Sequence, residues 1–299
     1  MRIERASHLQ DDDHESGTML TMRARLQPHR DIAAGRGRIT GGTCHTDAGL
    51  AKTEGTLKPY YKHGGITIYH ADCRETLPGL TADVVVTDPP YGETNLDWDV
   101  EVDRWVSVVR APQLWCFGSM RFWMRNAKVF ELANWYFAQE IIWEKHNGSS
   151  FHADRFKRVH EFMCHWYKTP WSDLYREVQV TADASARAVR RKMKPAHLGR
   201  VGDSSYQSVD GGPRLMRSVI FAKSCHGDAL HPTQKPTEIL KPLIAYSCRS
   251  GGTVLDPFCG SGSTLIAARE LGRSAIGIDI EEKYCEIAAK RLSQEVLSF

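Results

Sequence analysis

Val254-Leu-Asp-Pro-Phe-Cys-Gly-Ser-Gly-Ser-Thr-Leu265 is the stretch on which the reading of this chain turns. A short apolar run, TVLDPF, enters a loop containing Gly260 and Gly262, and STLIAARELG follows with helical composition. Two glycines so placed allow a tight turn and let a ligand approach the backbone where a side chain would collide. SAIGID then reads as a second strand and ends on Asp279, nineteen residues after Gly260. An acid at that strand tip can accept hydrogen bonds from both hydroxyls of a ribose, so the segment predicts a nucleoside site. The loop lacks Gly-Lys-Ser/Thr, which disfavours a P-loop.

Working outward, the same alternation recurs. ITIYH (66–70), VVVT (84–87), LWCFG (114–118), AQEIIW (138–143) and EFMCHWY (161–167) read as strands. Residues 102–110, 120–133 and 237–250 read as helices, with Pro242 in an early turn or at a kink, and EEKYCEIAAKRLSQEV closes the chain as another. VVVT is a continuous β-branched run bounded by polar residues, as expected of a strand buried on both faces. Strands alternating with helices predict an α/β fold with a mostly parallel sheet covered on both sides. Residues 1–57 lack sustained apolar periodicity and are rich in Asp, Arg, Gly and Thr, which predicts a poorly ordered extension; Met19 and Met22 are candidates for alternative starts.

A second constellation, Asp88-Pro89-Pro90-Tyr91, directly follows VVVT. Ligands of open α/β sheets bind beyond the carboxyl ends of the strands, so this tetrapeptide is expected to face the glycine-loop cleft. Its chemistry suits an aromatic amino group, whose lone pair is delocalised into the ring. A carboxylate and a backbone carbonyl, that of Pro89, can each accept one N–H and localise the pair as attack begins. Tyr91 offers a flat face for a base swung out of its stack. The bland alternative is a proline-rich turn with Asp88 as a cap.

DPPY together with DPFCGSG resembles the amino-methylating DNA methyltransferases, and the order of the two motifs resembles the circularly permuted beta group of that family. HPTQKP (231–236), YHADC (69–73), EIIWEKHNG (140–148) and RFKRVHEF (155–162) extend the resemblance over about residues 58–299. It implies a Rossmann-like S-adenosylmethionine-dependent methyltransferase fold with a seven-stranded sheet. The expected parts are a catalytic half over 58–167, a small target-recognition insert over 168–217 and a cofactor-binding half over 218–299. By carry-over, Asp88, Pro89, Pro90 and Tyr91 form the catalytic loop. Asp256, Phe258, Gly260, Ser261, Gly262 and Asp279 line the cofactor pocket, with Asp72, His231, Thr233 and Lys235 assisting. Asp279 stands where family members often carry Glu, and Cys259 where they carry Ala or Met. The implied reaction is direct methyl transfer from S-adenosylmethionine to a flipped base, N6 of adenine in preference to N4 of cytosine, because DPPY is more typical of the former.

Charge fits a polyanionic partner. Residues 145–223 hold fifteen Lys/Arg and seven Asp/Glu, and the rest of the chain carries a net −5. Within this region RAVRRKMK places Arg187, Arg190, Arg191, Lys192 and Lys194 in eight residues, suited to DNA phosphates or, alternatively, to a solvated face. The small insert predicts a short or relaxed recognition sequence. The resemblance implies double-stranded DNA as the partner, with a homodimer and a cognate restriction endonuclease as further candidates, and the basic region fits such a polyanion. No apolar run reaches eighteen residues and the first residues carry acids, so neither a membrane span nor export is expected; the resemblance implies a bacterial or phage-encoded protein acting in the bacterial cytoplasm. Eight scattered cysteines without a C-x-x-C pair read as reduced thiols, and no metal site is expected. A nicotinamide-dependent oxidoreductase would leave DPPY and the basic region unexplained. A methyltransferase acting on RNA or protein glutamine usually has Asn first in the tetrapeptide, and a non-catalytic DNA-binding module would not need two intact sites.

Overall fold

The strand VVVT emerges as β3 (Val84–Thr87), and every one of its residues is buried. Val84 and Val86 enter one core while Val85 enters another, as alternation on a pleated strand requires when both faces are covered. The computed structural model describes residues 58–148, 154–191, 204–225 and 234–294. The expected extension over 1–57 lies outside them.

β3 is the middle of a nine-stranded sheet. On one side of it lie β12 (Thr253–Asp256), β13 (Ser274–Asp279), β2 (Ile66–His70) and the edge strand β1 (Tyr61–His63). On the other lie β4 (Gln113–Gly118), β6 (His160–Tyr167), β5 (Tyr136–Glu144) and the edge strand β11 (Val219–Phe221). The five strands from β2 to β4 run parallel, as do β5 and β11, whereas β6 is antiparallel to both neighbours and β1 is antiparallel to β2. The seven expected strands thus form the centre, and a three-residue strand is added at each edge.

Helices cover both faces. α4 (Thr237–Ser247), α5 (Ser263–Glu270) and α6 (Glu282–Ser293) pack with Ile66, Val84, Trp115 and Val254. The single turns α1 (Cys73–Thr76) and α2 (Trp105–Val108), with α3 (Met120–Leu132), pack with Val85, Leu114, Leu255 and Ile278. Ser119 starts α3 by accepting the Phe122 N–H at 2.9 Å. The helix expected over 102–110 shrinks to one turn because Arg104 is left-handed (φ 59°) and Val109 is extended. Pro242 sits inside α4. Among the described residues of 168–217, two antiparallel pairs form: β7 (Val180–Thr181) with β10 (Arg214–Leu215), and β8 (Arg187–Arg191) with β9 (Ser204–Ser208). No helix among the described residues is long and apolar enough to cross a membrane.

Leu255 lies wholly inside the sheet beside β3. Leu255→Ala should destabilise the fold by about 2–5 kcal/mol, because the cavity left between sheet and helices cannot fully collapse. Urea denaturation measures this, and a loss well below that range would contradict close packing at the centre.

Candidate active site

Four adjacent parallel strands end at one edge of the sheet, and each supplies a carboxylate there. Asp72 follows β2, Asp88 follows β3, Asp256 ends β12 and Asp279 ends β13. All four line a single cavity of about 460 Å³ together with Pro89, Pro90, Tyr91, Lys235, Phe258, Gly260 and Ser261. Gly262 lies just behind it as the residue preceding α5. Its φ of 78° suits glycine, and a Cβ there would fall 2.9 Å from that of Ala288 on α6. Gly262 is therefore needed for the turn and for helix packing at once.

The four acids differ in how they are held. Asp72 starts α1 and receives the Arg74 backbone N–H at 2.8 Å and its guanidinium at 2.6 Å, which keeps this carboxyl below the ordinary range. Asp279 receives the N–H groups of Gly260 (2.8 Å) and Glu281 (2.9 Å), so it draws the glycine loop onto β13, although burial pushes its pKa upward. Asp256 accepts the Thr87 hydroxyl at 2.7 Å and the Phe258 N–H at 3.1 Å on the same oxygen, Oδ1, and burial pushes its pKa up to about 6. Asp88 receives the Tyr91 hydroxyl and the Lys235 ammonium. Burial pushes Asp88 upward against the pull of that cation.

Behind Asp88 runs a chain of buried charge. The Lys235 ammonium also lies 3.6 Å from Oε2 of Glu161 on β6, and Oε1 of Glu161 is paired with Lys145. Burial opposes the charge on Lys235, but Asp88 and Glu161 outweigh it and hold its pKa above the ordinary value. Burial likewise opposes ionisation of Glu161, yet Lys235 and Lys145 prevail and hold it low. Lys235, expected beside the cofactor, is thus placed on the Asp88 carboxylate, while its neighbour Gln234 accepts a hydrogen bond from Ser261 of the glycine loop at 3.2 Å. His231 and Thr233 lie outside the described residues.

Sequence reasoning missed the residue that shapes the tetrapeptide loop. Asp99 is buried, and its Oδ1 accepts the N–H groups of Tyr91 (2.8 Å) and Gly92 (2.9 Å). Its Oδ2 accepts those of Glu93 (3.0 Å) and Thr94 (2.7 Å) and the Thr94 hydroxyl (2.7 Å). Burial works against ionisation, but these bonds win and hold its pKa low. Arg125 adds a hydrogen bond to the Tyr91 carbonyl at 2.7 Å. Nothing in LDWDVEVD distinguishes Asp99 from Asp97 or Asp103. Arg291 of α6 was also missed; it donates to the Ser261 carbonyl at 2.5 Å and steadies the glycine loop.

Over its described part, 187–191, the basic run is a strand. β8 carries Arg187, Arg190 and Arg191, Arg187 is exposed, and Lys192 and Lys194 lie outside the described residues. Arg187 does not line the cavity.

Two measurements follow. Asp99→Asn sets an amide NH₂ against backbone N–H donors and should cost about 2 kcal/mol in urea denaturation; an unchanged stability would mean the clamp is not needed. Asp256→Asn keeps an acceptor for Thr87 and Phe258. The native carboxyl titrates near 6, above its unfolded value, so folding favours its protonated form. Wild-type stability should therefore fall by about 3 kcal/mol relative to the variant as pH rises from 4 to 6, then run parallel to it. Parallel curves throughout would show that burial does not raise the Asp256 pKa on folding.

The N6_N4_Mtase family model, described as DNA methylase, matches residues 82–290. The chain is 30% identical to the type II methyltransferase M2.DpnII of Streptococcus pneumoniae over 261 residues, covering 80% of this chain and 93% of that one. It is 27% identical to the type II methyltransferase M.ScaI of Streptomyces caespitosus over 286 residues, covering 84% and 90%. Among solved structures, the M1.HpyAVI–SAM complex superposes with a TM-score of 0.52 at 27% identity, covering 77% of this chain and all of that one. The PvuII cytosine-N4-specific DNA methyltransferase superposes at 0.58 with 14% identity, covering 81% and 92%, a likeness of fold alone.

Proposed function

Because this chain belongs to the N6_N4_Mtase family of DNA methylases, we propose that it transfers the methyl group of S-adenosylmethionine to N6 of adenine in double-stranded DNA. The observation that carries this reading is the sharing of one cavity by the Asp88–Tyr91 tetrapeptide and the Phe258–Ser261 loop.

The residues present fit the methyl donor. Phe258 supplies an apolar wall fixed edge-to-face against Trp105 at 5.3 Å. Gly260 and Ser261 line the cavity, Gly260 with backbone alone, and the lone pairs of Asp279 left over from Gly260 and Glu281 suit ribose hydroxyls. Asp72, at the tip of the neighbouring strand, adds an acceptor at the adenosine end. When bound, S-adenosylmethionine supplies a sulfonium methyl whose carbon–sulfur bond breaks with its electron pair going to sulfur.

Asp88 and the Pro89 carbonyl accept the two amino N–H groups of the flipped base and draw its lone pair onto nitrogen as the new bond forms. The methylated nitrogen then sheds one proton, which Asp88 receives; its burial suits it to hold a proton longer than an exposed aspartate would. Tyr91 is braced against Phe122 at 5.2 Å and gives the base a ring to stack on. Asp99 holds the loop in which these groups sit. Arg187, Arg190, Arg191, Lys192 and Lys194 take DNA phosphates and contribute affinity with little sequence preference. The reading places the protein in a bacterial cytoplasm, the compartment of its DNA.

Modification-sensitive sequencing of DNA from cells expressing the protein should show N6-methyladenine at a short motif. N4-methylcytosine at that motif would replace adenine by cytosine as the substrate, and unmodified DNA would reject the reading. Asp88→Ala should reduce turnover by about a thousandfold or more while calorimetry finds cofactor affinity within a few-fold. Surviving activity would remove Asp88 from its role.

A further inference from the structure

The cavity contains one arrangement that methyl transfer as described leaves unused. Lys235 lies between two carboxylates, bonded to Asp88 and just short of Glu161. Oε2 of Glu161 is buried and accepts no hydrogen bond, while Oε1 is held by Lys145. The side chains of Lys235 and Glu161 are 9% and 12% exposed, and Oε2 itself lies out of reach of bulk solvent. A buried carboxylate oxygen without a donor is costly, and it persists where a second arrangement of the site uses it.

The demand for that second arrangement comes from Asp88. Its two oxygens are occupied by the Tyr91 hydroxyl and the Lys235 ammonium, and an ammonium on a carboxylate withdraws the electron density that an aromatic amine needs from it. The incoming amino group must take a place on this carboxylate. Lys235 needs a shift of less than about 1 Å to turn its 3.6 Å separation from Glu161 into a charge-assisted hydrogen bond. Its charge stays paired throughout, so no bare ion is created in the buried site. The Phe117 ring, 5.1 Å from the ammonium, forms a wall along which it can move.

We propose that Glu161 is a positioning residue that takes the Lys235 ammonium from Asp88 when the target amino group arrives, and so frees Asp88 to act as acceptor. The inference rests on the methyltransferase reading above. The groups facing Asp88 are Tyr91 from its own loop, Lys235 ahead of α4, Glu161 from β6, Cys116 from β4 and Asp256 from β12. Only Lys235 among them carries positive charge, so its departure raises the proton affinity of Asp88 in the working complex.

The test is single-turnover methylation of a duplex carrying the sequenced motif, followed as a function of pH, with cofactor affinity from calorimetry. Wild-type protein that labels no DNA amino group would defeat the functional reading and leave Glu161 out of the matter. Given wild-type activity, Glu161→Gln should slow the methyl-transfer step by at least about tenfold, with cofactor and DNA affinities within about threefold. Lys235 then remains on Asp88, so the acidic limb of the rate profile should move to lower pH. An unchanged rate, a loss matched by weaker binding, or an unmoved acidic limb would each overturn the proposal. In a Lys235→Met background, which also serves if the single variant fails to fold, Glu161→Gln should cost no further rate. A further loss there would show that Glu161 acts by another route.

Discussion

The parallel pairing of β3 with β12 is the constraint from which the rest follows. Val84 and Val85 align with Val254 and Leu255, joining segments some 170 positions apart in the chain. Because the two strands run the same way, Asp88 and Asp256 leave the sheet at the same edge, and the Thr87 hydroxyl ties the two tips together at 2.7 Å. An antiparallel pairing would send the two motifs to opposite ends of the molecule. The burial of both strands on both faces also makes their register costly to change, since a slip of one residue would exchange the two cores.

On that edge, electrostatics distributes the work. All four carboxylates lie at or just beyond strand ends, yet their partners differ: an arginine for Asp72, backbone N–H groups for Asp279, a hydroxyl and one N–H for Asp256, a lysine and a tyrosine for Asp88. Asp99, whose carboxylate is saturated by backbone donors, is a scaffold for the loop and is held ionised. Asp88, buried with a single cation, retains a raised pKa. Acids of the same chemistry are thus divided into structural and reactive roles by the number and kind of donors around them.

Much of this was legible in the sequence because it rests on local pattern. β-branched runs, the spacing from Gly260 to Asp279 and the DPPY tetrapeptide each declare a strand tip, and the strands fell within a residue or two of where they were read. What was not legible depends on long-range geometry. Asp99 acts through the fold of its own loop and looks like its acidic neighbours. Glu161 was read as part of a bordering strand, and only the sheet order β4-β6-β5 brings it to Lys235. Lys235 itself was found by resemblance, but its carboxylate partner lies 147 residues away. The edge strands β1 and β11 are three residues long, too short for periodicity to reveal.

The account stands on methyl donor and target base meeting in one cavity between β3 and β12. A crystal structure of the protein with a DNA duplex carrying its motif and an unreactive analogue of S-adenosylmethionine tests this directly. The account predicts the analogue against Gly260 and Asp279, with an extrahelical base whose amino nitrogen lies within hydrogen-bond distance of the Asp88 carboxylate and the Pro89 carbonyl. An analogue seated elsewhere, or a base that enters without reaching Asp88, would contradict it.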